Sequence, residues 1–180
     1  RARNYLESNK EIVNSLNVFP VPDGDTGTNM SLTIKSAIKN LENSKINTCA
    51  DVTKAISDGA LMGARGNSGV ILSQILRGFY LGSKESVTLD VETIKECFVN
   101  AYKVAYKSVI KPTEGTILTV IRKISEKAIE CADKFEDLVE FLREIVKAGE
   151  QAVEETPELL PKLKEAGVVD AGGKGLFFFF

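Results

Sequence analysis

The amino-acid sequence predicts an all-α protein, built as one domain of seven or eight helices. Apolar residues recur at steps of three and four along most of the chain, as in Ile117, Ile121, Ile124, Ala128 and Cys131. This spacing is typical of amphipathic helices, and the alternation with period two that indicates a strand is nearly absent. The 180 residues are 43% hydrophobic and 27% charged, the balance of a chain that folds around one core.

Each helix has its own signal in the chain. The upstream segments predict helices over about 2–16, 29–43, 52–62 and 68–81. Apolar stripes predict three more, over about 91–105, 117–131 and 135–153. Asp90 and Glu92 stand where a helix cap and a first-turn acid belong, and Pro157 predicts a further short helix that ends at Gly167. Only residues 167–180 are open to a strand.

The composition excludes several classes of function. A net charge of −2 argues against a general nucleic-acid binder, which needs a basic surface. No apolar run approaches the roughly 20 residues of a membrane-spanning helix. The absence of histidine excludes His-based catalytic triads and His-ligated zinc. Any chemistry therefore depends on carboxylates, hydroxyls, Arg or Lys side chains, backbone N–H groups or a bound metal.

The cysteines and the chain ends indicate the setting of the protein. Cys49, Cys97 and Cys131 are far apart and odd in number, so we expect a cytoplasmic protein with neither a disulfide framework nor a zinc site. The chain starts at Arg1 without a methionine or a secretory signal. It ends on the apolar run 176–180. Residues 1–180 are therefore expected to form one domain of a longer protein, in which the terminal run continues or docks elsewhere.

The loop before the second predicted helix carries two carboxylates. Asp23 and Asp25 are separated by one glycine and followed by Thr26, Thr28 and Asn29. Magnesium prefers oxygen ligands of this kind, and it typically uses one or two carboxylates together with water and phosphate oxygens. The loop is therefore a candidate metal site. The alternative is a surface turn followed by a capped helix, because Pro-Asp-Gly favours a turn by itself.

Three further glycine-rich junctions interrupt the helical pattern. Residues 63–69 hold three glycines, an Asn and Ser68 at a predicted helix start, an arrangement that suits a phosphate. They match neither a Walker A loop nor a dinucleotide fingerprint, and a tight helix connection is the alternative. Residues 111–116 also lead into a predicted helix start, where an anion could bind, but they equally suit a helix cap after Pro112. Residues 169–175 either border a base or ribose, or lead into a terminal strand.

Together, the four junctions predict a nucleotide site at one end of a helical bundle. Two carboxylates would hold a metal, and backbone N–H groups at the helix starts would hold phosphates. Phosphoryl transfer depends on positioning and charge neutralisation, and it needs little covalent chemistry from the protein. A chain without histidine is therefore able to carry it out.

The same junctions carry a family resemblance. Residues 16–30, Leu-Asn-Val-Phe-Pro-Val-Pro-Asp-Gly-Asp-Thr-Gly-Thr-Asn-Met, closely resemble the signature of the DAK2, or DhaL-like, kinase domain. They match the form found in the N-terminal domain of the bacterial fatty acid kinases. Residues 60–74, 111–120 and 169–175 are similar to the other three motifs of that subgroup, in the same order. The resemblance spans nearly the whole chain.

The resemblance implies an antiparallel barrel of about eight helices that binds ATP through loops at one end. Asp23 and Asp25 match the metal-binding aspartates and would hold two magnesium ions against the phosphates. The residues implied to contact the nucleotide and its phosphates are Thr26, Thr28, Asn29, Gly66, Asn67, Ser68, Gly69, Gly115, Thr116, Asp170 and Gly172. We also expect Arg65 to neutralise charge in the transition state, with a role as an exposed loop cation as the alternative.

The implied reaction is the ATP-dependent phosphorylation of a fatty acid carboxylate, presented by a separate carrier protein, to an acyl phosphate. The dihydroxyacetone kinase branch has a further upstream Asp and a His or Cys at the position of Thr26. Here Asn17 stands near the former position and is a candidate neutral metal ligand. A dihydroxyacetone-type kinase and a non-catalytic nucleotide-binding module are the alternatives. Further domains of the parent protein and a second copy of the chain are the other candidate partners.

Overall fold

The computed structural model describes residues 2–180 and is helical throughout its regular structure. Within these residues there are eleven α-helices, one 3₁₀ turn at Ala132–Lys134 and no strand. The α-helices are α1 (Ala2–Ser8), α2 (Lys10–Ser15), α3 (Thr26–Glu42), α4 (Cys49–Met62), α5 (Gly66–Ser83), α6 (Val91–Lys107), α7 (Ile117–Cys131), α8 (Leu138–Glu154), α9 (Thr156–Leu159), α10 (Pro161–Ala166) and α11 (Ala171–Phe179). The predicted all-α class is confirmed.

The long helices form a closed ring. From α3 to α8 each helix packs against the next one along the chain, and α11 packs against α7, α8 and α3. The last helix therefore closes the barrel between the first and last members of the series. The core inside it is apolar, and its largest fully buried side chains include Phe141, Leu72, Ile121 and Leu176. The apolar stripes that predict α6, α7 and α8 supply much of this core.

The helix count exceeds the prediction because two predicted helices are each broken and the C-terminal segment forms one more, α11. The first breaks at Asn9, whose backbone N–H bonds the carbonyls of Tyr5 and Leu6 at 3.2 Å each. The short helix near Pro157 breaks before Pro161, because proline has no N–H with which to continue the preceding helix. Gly167 ends α10 in the left-handed conformation, as predicted.

The C-terminal segment differs from its prediction. It holds the helix α11 where the sequence left a strand open, and its apolar run packs inside this domain: Leu176 is fully buried and Phe178 is 9% exposed. The glycines explain the difference, because a Cβ on Gly173 would approach Val120 to 2.9 Å and one on Gly175 would approach the Met30 sulfur to 2.6 Å. Close tertiary packing thus outweighs the low helix propensity of glycine here.

Two of the three cysteines, Cys97 and Cys131, are buried, Cys49 is half-buried, and none is in a disulfide. No helix within residues 2–180 has the length and apolar character that crossing a membrane requires.

Candidate functional site

A cavity of about 650 Å³ lies where several helices begin. Its walls come from the loop before α3, the first turns of α3, α5 and α7, the residues after α6 and the capping residue of α11. Neighbouring helices of the barrel run in opposite directions, so the starts of α5 and α7 meet the end of α6 at the same end. The four predicted junctions are therefore brought together, as the sequence led us to expect.

The cavity contains most of the residues that the sequence singled out. Those lining it are Asn17, Asp23, Asp25, Thr26, Asn29, Gly66, Asn67, Ser68, Thr116 and Asp170. The predicted residues outside its lining are Thr28, Arg65, Gly69, Gly115 and Gly172. Of these, Arg65 is the N-cap residue of α5, and its backbone N–H donates to the Thr33 hydroxyl oxygen at 3.2 Å.

The start of α5 is open toward the cavity. Its first residues, Gly66, Asn67 and Ser68, line the cavity, and no side chain caps this helix from Arg65. The first N–H groups of a helix have no partner within it and lie at the positive end of the helix dipole. The Ser68 hydroxyl, 3.5 Å from the Thr26 carbonyl oxygen, lies beside them. This helix start is the one best suited to bind an anion.

The start of α3 is covered by two asparagines. The Asn17 side-chain oxygen accepts from the Thr26 backbone N–H at 3.2 Å and from its hydroxyl at 2.7 Å. The Asn14 side chain accepts from the Thr28 N–H and donates to the Thr28 hydroxyl, both at 3.0 Å. Thr28 therefore has its polar groups engaged on the α2 side and does not line the cavity.

The starts of α7 and α11 share one buried carboxylate. Asp170 accepts from the Gly173 N–H at 2.7 Å and from the N–H of Ile117, so it caps α11 and satisfies the first turn of α7. The Thr116 hydroxyl accepts from the Leu118 N–H at 3.3 Å. Each of these helix starts has N–H groups bonded to side chains, whereas the start of α5 has no side-chain cap within residues 2–180 and leaves its N–H groups for a ligand.

Asp170 is 5% exposed although it borders the cavity. Burial raises the pKa of its carboxyl group to about 6, against the opposing effect of the N–H groups of Gly173 and Ile117. Its own N–H donates to the Thr156 hydroxyl at 3.0 Å. The residue thus joins three helices at the wall of the cavity, and its lone pairs face protein N–H groups.

Asp23 and Asp25 have no such partners. Both are exposed side chains that line the cavity, and Asp25 occupies the N-cap position of α3 without making a capping hydrogen bond. Within residues 2–180 no group of three or more His, Cys, Asp and Glu side chains is arranged to hold a metal. Two carboxylates suit magnesium, which completes its shell with water and phosphate oxygens, better than zinc, which prefers thiolate and imidazole ligands.

Several glycines of the motifs permit close approaches. Gly66 has a φ of +58°, and a Cβ there would clash with the Asn29 side-chain amide. A Cβ on Gly69 would clash with the Thr33 hydroxyl, and one on Gly172 would meet Ile117 at 3.2 Å. Gly69 and Gly172 therefore contribute through helix packing, and Gly66 keeps the Asn29 amide at the cavity wall.

Lys111 and an apolar wall are features to which sequence reasoning gave no role. Lys111 is exposed and is the one cation in the lining within residues 2–180, whereas Arg65 is not part of that lining. Apolar side chains line much of the remainder, among them Phe19, Val109 and Ile117. The sequence signal that could have identified Lys111 is its position as the first residue of the third motif. For the apolar wall, the only signal was that its residues lie near the motifs.

Comparisons with known proteins agree with this architecture. A family model described as the DAK2 domain matches residues 20–180. Uncharacterized proteins of Staphylococcus epidermidis and Staphylococcus aureus (strain USA300) are each 48% identical over 171 residues, which cover 95% of this chain and 31% of the relative. The chain thus spans 31% of the length of these curated relatives.

Solved structures share the fold at low identity. The dihydroxyacetone kinase from C. freundii in complex with AMP-PNP and Mg²⁺ superimposes with a TM-score of 0.71 and 16% identity, over 99% of this chain and 31% of that one. The native form of that kinase superimposes with a TM-score of 0.69. This likeness establishes the helical fold. The match of the family model to nearly the whole chain establishes more: the chain belongs to the DAK2 domain family.

Proposed function

We propose that this chain is the ATP- and magnesium-dependent domain of a kinase that phosphorylates the carboxylate of a fatty acid held by a carrier protein. The product would be an acyl phosphate. The observation that carries the proposal is the pairing of two unpartnered carboxylates, Asp23 and Asp25, with the open start of α5 around one cavity. Carboxylates and helix N–H groups of this kind suit a metal-bound polyphosphate.

The charges of the cavity support a requirement for magnesium. Within residues 2–180 its lining holds Asp23, Asp25 and the buried Asp170 against one cation, Lys111. A triphosphate would be repelled by this acidic wall unless divalent cations lie between them. Asp23 and Asp25 would hold two such ions, and bound magnesium would neutralise charge on the phosphates. The two carboxylates have the ligand chemistry for this, because neither accepts a hydrogen bond from a group within residues 2–180.

The remaining residues would position the phosphates. The N–H groups at Gly66, Asn67 and Ser68 would bind phosphate oxygens, and the Asn29 amide beside them would orient the chain of phosphates. Lys111 would add a positive charge to the same cavity. In the transfer, an acceptor carboxylate oxygen forms a bond to the γ-phosphorus while the bond from that phosphorus to the bridging oxygen breaks, which releases ADP.

The acceptor chemistry fits a chain without histidine. A carboxylate is already anionic at neutral pH, so no general base is needed to activate it. Thr26 occupies the position at which the dihydroxyacetone branch carries His or Cys, which favours the acyl acceptor. Val21, Val70 and Ile110 line the cavity with exposed apolar side chains. Such surfaces often contact another protein or a lipid, which supports an acceptor presented by a carrier.

Two other functions make different predictions. A dihydroxyacetone-type kinase, which is the kind of enzyme that the solved structures of the same fold represent, would consume ATP with a small sugar and without a lipid carrier. A regulatory nucleotide-binding module would bind ATP without consuming it. The presence of Asp23, Asp25 and the Ser68 loop around one cavity argues against the second alternative, because these residues supply the metal and phosphate contacts that phosphoryl transfer uses.

The test is in two stages. Calorimetric titration of ATP into the chain, with magnesium and with chelator, should show magnesium-dependent binding that Asp23→Ala abolishes. The longer parent chain, given ATP, a loaded fatty acid carrier or dihydroxyacetone, should then consume ATP only with the carrier and yield acyl phosphate. Consumption with dihydroxyacetone alone would establish the sugar kinase instead. Binding without consumption under every condition would establish the regulatory module.

A further inference from the structure

A polar network supports the loop between α6 and α7 from the side away from the cavity. The loop runs over residues 111–116 and includes Lys111, Thr113 and Thr116 of the cavity lining. Behind it lie Tyr106 on α6, Glu114 in the loop itself and Arg122 on α7. None of these three side chains lines the cavity, so they do not belong to the nucleotide contacts described above.

Arg122 is the centre of this network. Its guanidinium donates to Glu114 at 2.8 Å, to Glu126 at 2.7 Å and to the Tyr106 hydroxyl at 3.2 Å. Its side chain is 24% exposed. Arginine suits this position because its planar group donates in several fixed directions at once, which a lysine ammonium does not. The Arg122 side chain thus links the Glu114 carboxylate in the loop to Tyr106 on α6 and to Glu126 on α7.

Glu114 is held from three sides. Besides Arg122, it accepts from the Tyr106 hydroxyl at 2.8 Å and from the Thr119 hydroxyl. Partial burial acts to raise the pKa of this carboxyl, but the hydrogen bonds from Thr119, Arg122 and Tyr106 outweigh it and hold the pKa below its usual value. Glu114 is therefore ionised at neutral pH, and its geometry is set by neutral and charged donors together.

The network reaches the loop backbone through Thr119. The Gly115 N–H donates to the Thr119 oxygen at 2.8 Å, and the Thr119 hydroxyl donates in turn to Glu114. Gly115 has a φ of +78°, and its Cα faces Leu160, which a Cβ would approach to 2.7 Å. The loop is thus held between α7 on one side and α9 with its following residue on the other.

We propose that Arg122 and Glu114 are positioning residues for the nucleotide site, which hold the 111–116 loop so that Lys111, Thr113 and Thr116 face the cavity. The inference rests on the proposed function, since it concerns the same site. The Arg122 side chain is 24% exposed and that of Glu114 is 46% exposed, so solvent still screens the pair and limits its contribution to global stability. We therefore expect the network to act mainly on the local order of the loop. A ligand gains affinity when the groups that contact it are already ordered.

The experiment compares variants in the titration of AMP-PNP with magnesium, an analogue that avoids turnover. Arg122→Gln and Glu114→Gln remove one partner each and keep much of the side-chain volume. We expect each to weaken binding about tenfold, as for the loss of a hydrogen bond to a charged group. Because both act through one network, the double variant should bind no more weakly than either single variant. Tyr106→Phe keeps the ring and should weaken binding only a few-fold, because one hydroxyl is lost.

The matched control lies on the same helix. Lys127, with a side chain 27% exposed, pairs with Glu130 and Glu144 nearer the end of α7 and does not contact the loop. Lys127→Gln should bind as wild type, and it should unfold at nearly the same temperature as Arg122→Gln. Amide exchange supplies a readout without ligand: the Gly115 amide should exchange faster in Arg122→Gln and Glu114→Gln, and unchanged in Lys127→Gln.

Each outcome decides the inference. Weaker binding with faster exchange at Gly115 and an unchanged unfolding temperature supports it. Wild-type affinity in both Gln variants overturns it, as does a loss of affinity that merely follows a loss of overall stability. A wild-type chain that binds no nucleotide overturns the proposed function itself, and that failure appears before any variant is titrated.

Discussion

Asn17 and Thr26 are joined by two hydrogen bonds across the carboxylate loop. The Asn17 side-chain oxygen accepts from both the backbone N–H and the hydroxyl of Thr26, at 3.2 Å and 2.7 Å, while its amide group donates to the Val21 carbonyl at 2.9 Å. The loop that carries Asp23 and Asp25 is therefore closed on itself by one side chain. A metal would compete with Thr26 for the oxygen that the sequence offered as a neutral ligand.

We expect Asn17→Ala to lower the free energy of unfolding by about 1–3 kcal/mol, because it leaves buried donors and an acceptor without partners. Thermal or urea unfolding measures this. Asn43→Ala, at an exposed amide that bonds only the Lys39 carbonyl, is the control and should change stability little. An Asn17→Ala chain that keeps its full stability but loses its dependence on magnesium would identify Asn17 as a ligand instead.

Asp23→Ala and Asp25→Ala should each abolish magnesium-dependent ATP binding, with a loss of at least about a hundredfold, and leave stability within about 0.5 kcal/mol of wild type. The reason is that both carboxylates are exposed and hold no other part of the protein. Calorimetry and thermal unfolding report the two quantities. Asp58→Ala, which removes an exposed carboxylate paired with Lys54 on α4, should leave binding intact. Unfolding of both site variants would instead indicate a structural turn.

Alanine substitutions at Gly66 and Gly167, which both have positive φ, distinguish the effect of backbone strain from damage to the site. Gly66→Ala should lower stability by about 1–3 kcal/mol and also weaken ATP binding strongly, because the added Cβ displaces Asn29 from the cavity wall. Gly167→Ala has a similar φ of +67° with nothing within 4 Å of the added Cβ. It should lower stability by about 1 kcal/mol and leave binding unchanged. Equal binding by the two variants would contradict the assignment of Gly66 to the phosphate site.

Lys111 lines the cavity and Arg65 does not, so the loss of each cation should affect ATP binding differently. Lys111→Gln should weaken ATP binding about tenfold, because it removes the one cation that lines the cavity within residues 2–180. Arg65→Gln should have less effect, since its side chain lies outside the lining. Calorimetric titration of ATP into both variants, with magnesium present, tests whether Lys111→Gln causes the larger loss of affinity. A larger loss with Arg65→Gln would contradict this order, and the predicted role of Arg65 in the transition state would appear separately, as a fall in turnover number without a matching loss of ATP affinity.

Asp170 predicts a dependence of stability on pH. Its pKa is about 6 in the folded chain against an ordinary value of 3.8, so between about pH 4 and pH 6 the folded state retains a proton that the unfolded state has lost. The stabilising contribution of this group is therefore complete below about pH 4 and is lost as pH rises through 6, by up to about 3 kcal/mol.

The comparison with Asp170→Asn isolates this effect, because the two chains share every other titrating group. Urea unfolding from pH 4 to pH 7 should show the difference in unfolding free energy, wild type minus variant, falling as pH rises. A constant difference would mean that the carboxyl ionises in the folded chain as easily as in water. The same comparison in the ATP titration tests whether Asp170 contacts the nucleoside, as the family resemblance implies.

Much of the site could be predicted because its chemistry lies in local patterns. The spacing of Asp23 and Asp25 and the glycines before Ser68 are short-range features, and each marks a helix start that the structure contains. Local patterns were misleading for the C-terminal segment. Glycine and phenylalanine in succession give no helical signal, and the helix forms because Asp170 caps it and because its glycines fit against Met30 and Val120.

The helical class, the lack of imidazole chemistry and the order of the four motifs all follow from the amino-acid sequence. Which helix start remains open to a ligand depends on the folded arrangement instead. Within residues 2–180, Asn14 and Asn17 accept from N–H groups at the start of α3, Asp170 accepts from N–H groups at the starts of α7 and α11, and no side chain caps α5. Most of these pairings join separate elements of the fold, and a hydrogen-bond donor is available only when no such partner reaches it, which periodicity and spacing do not encode.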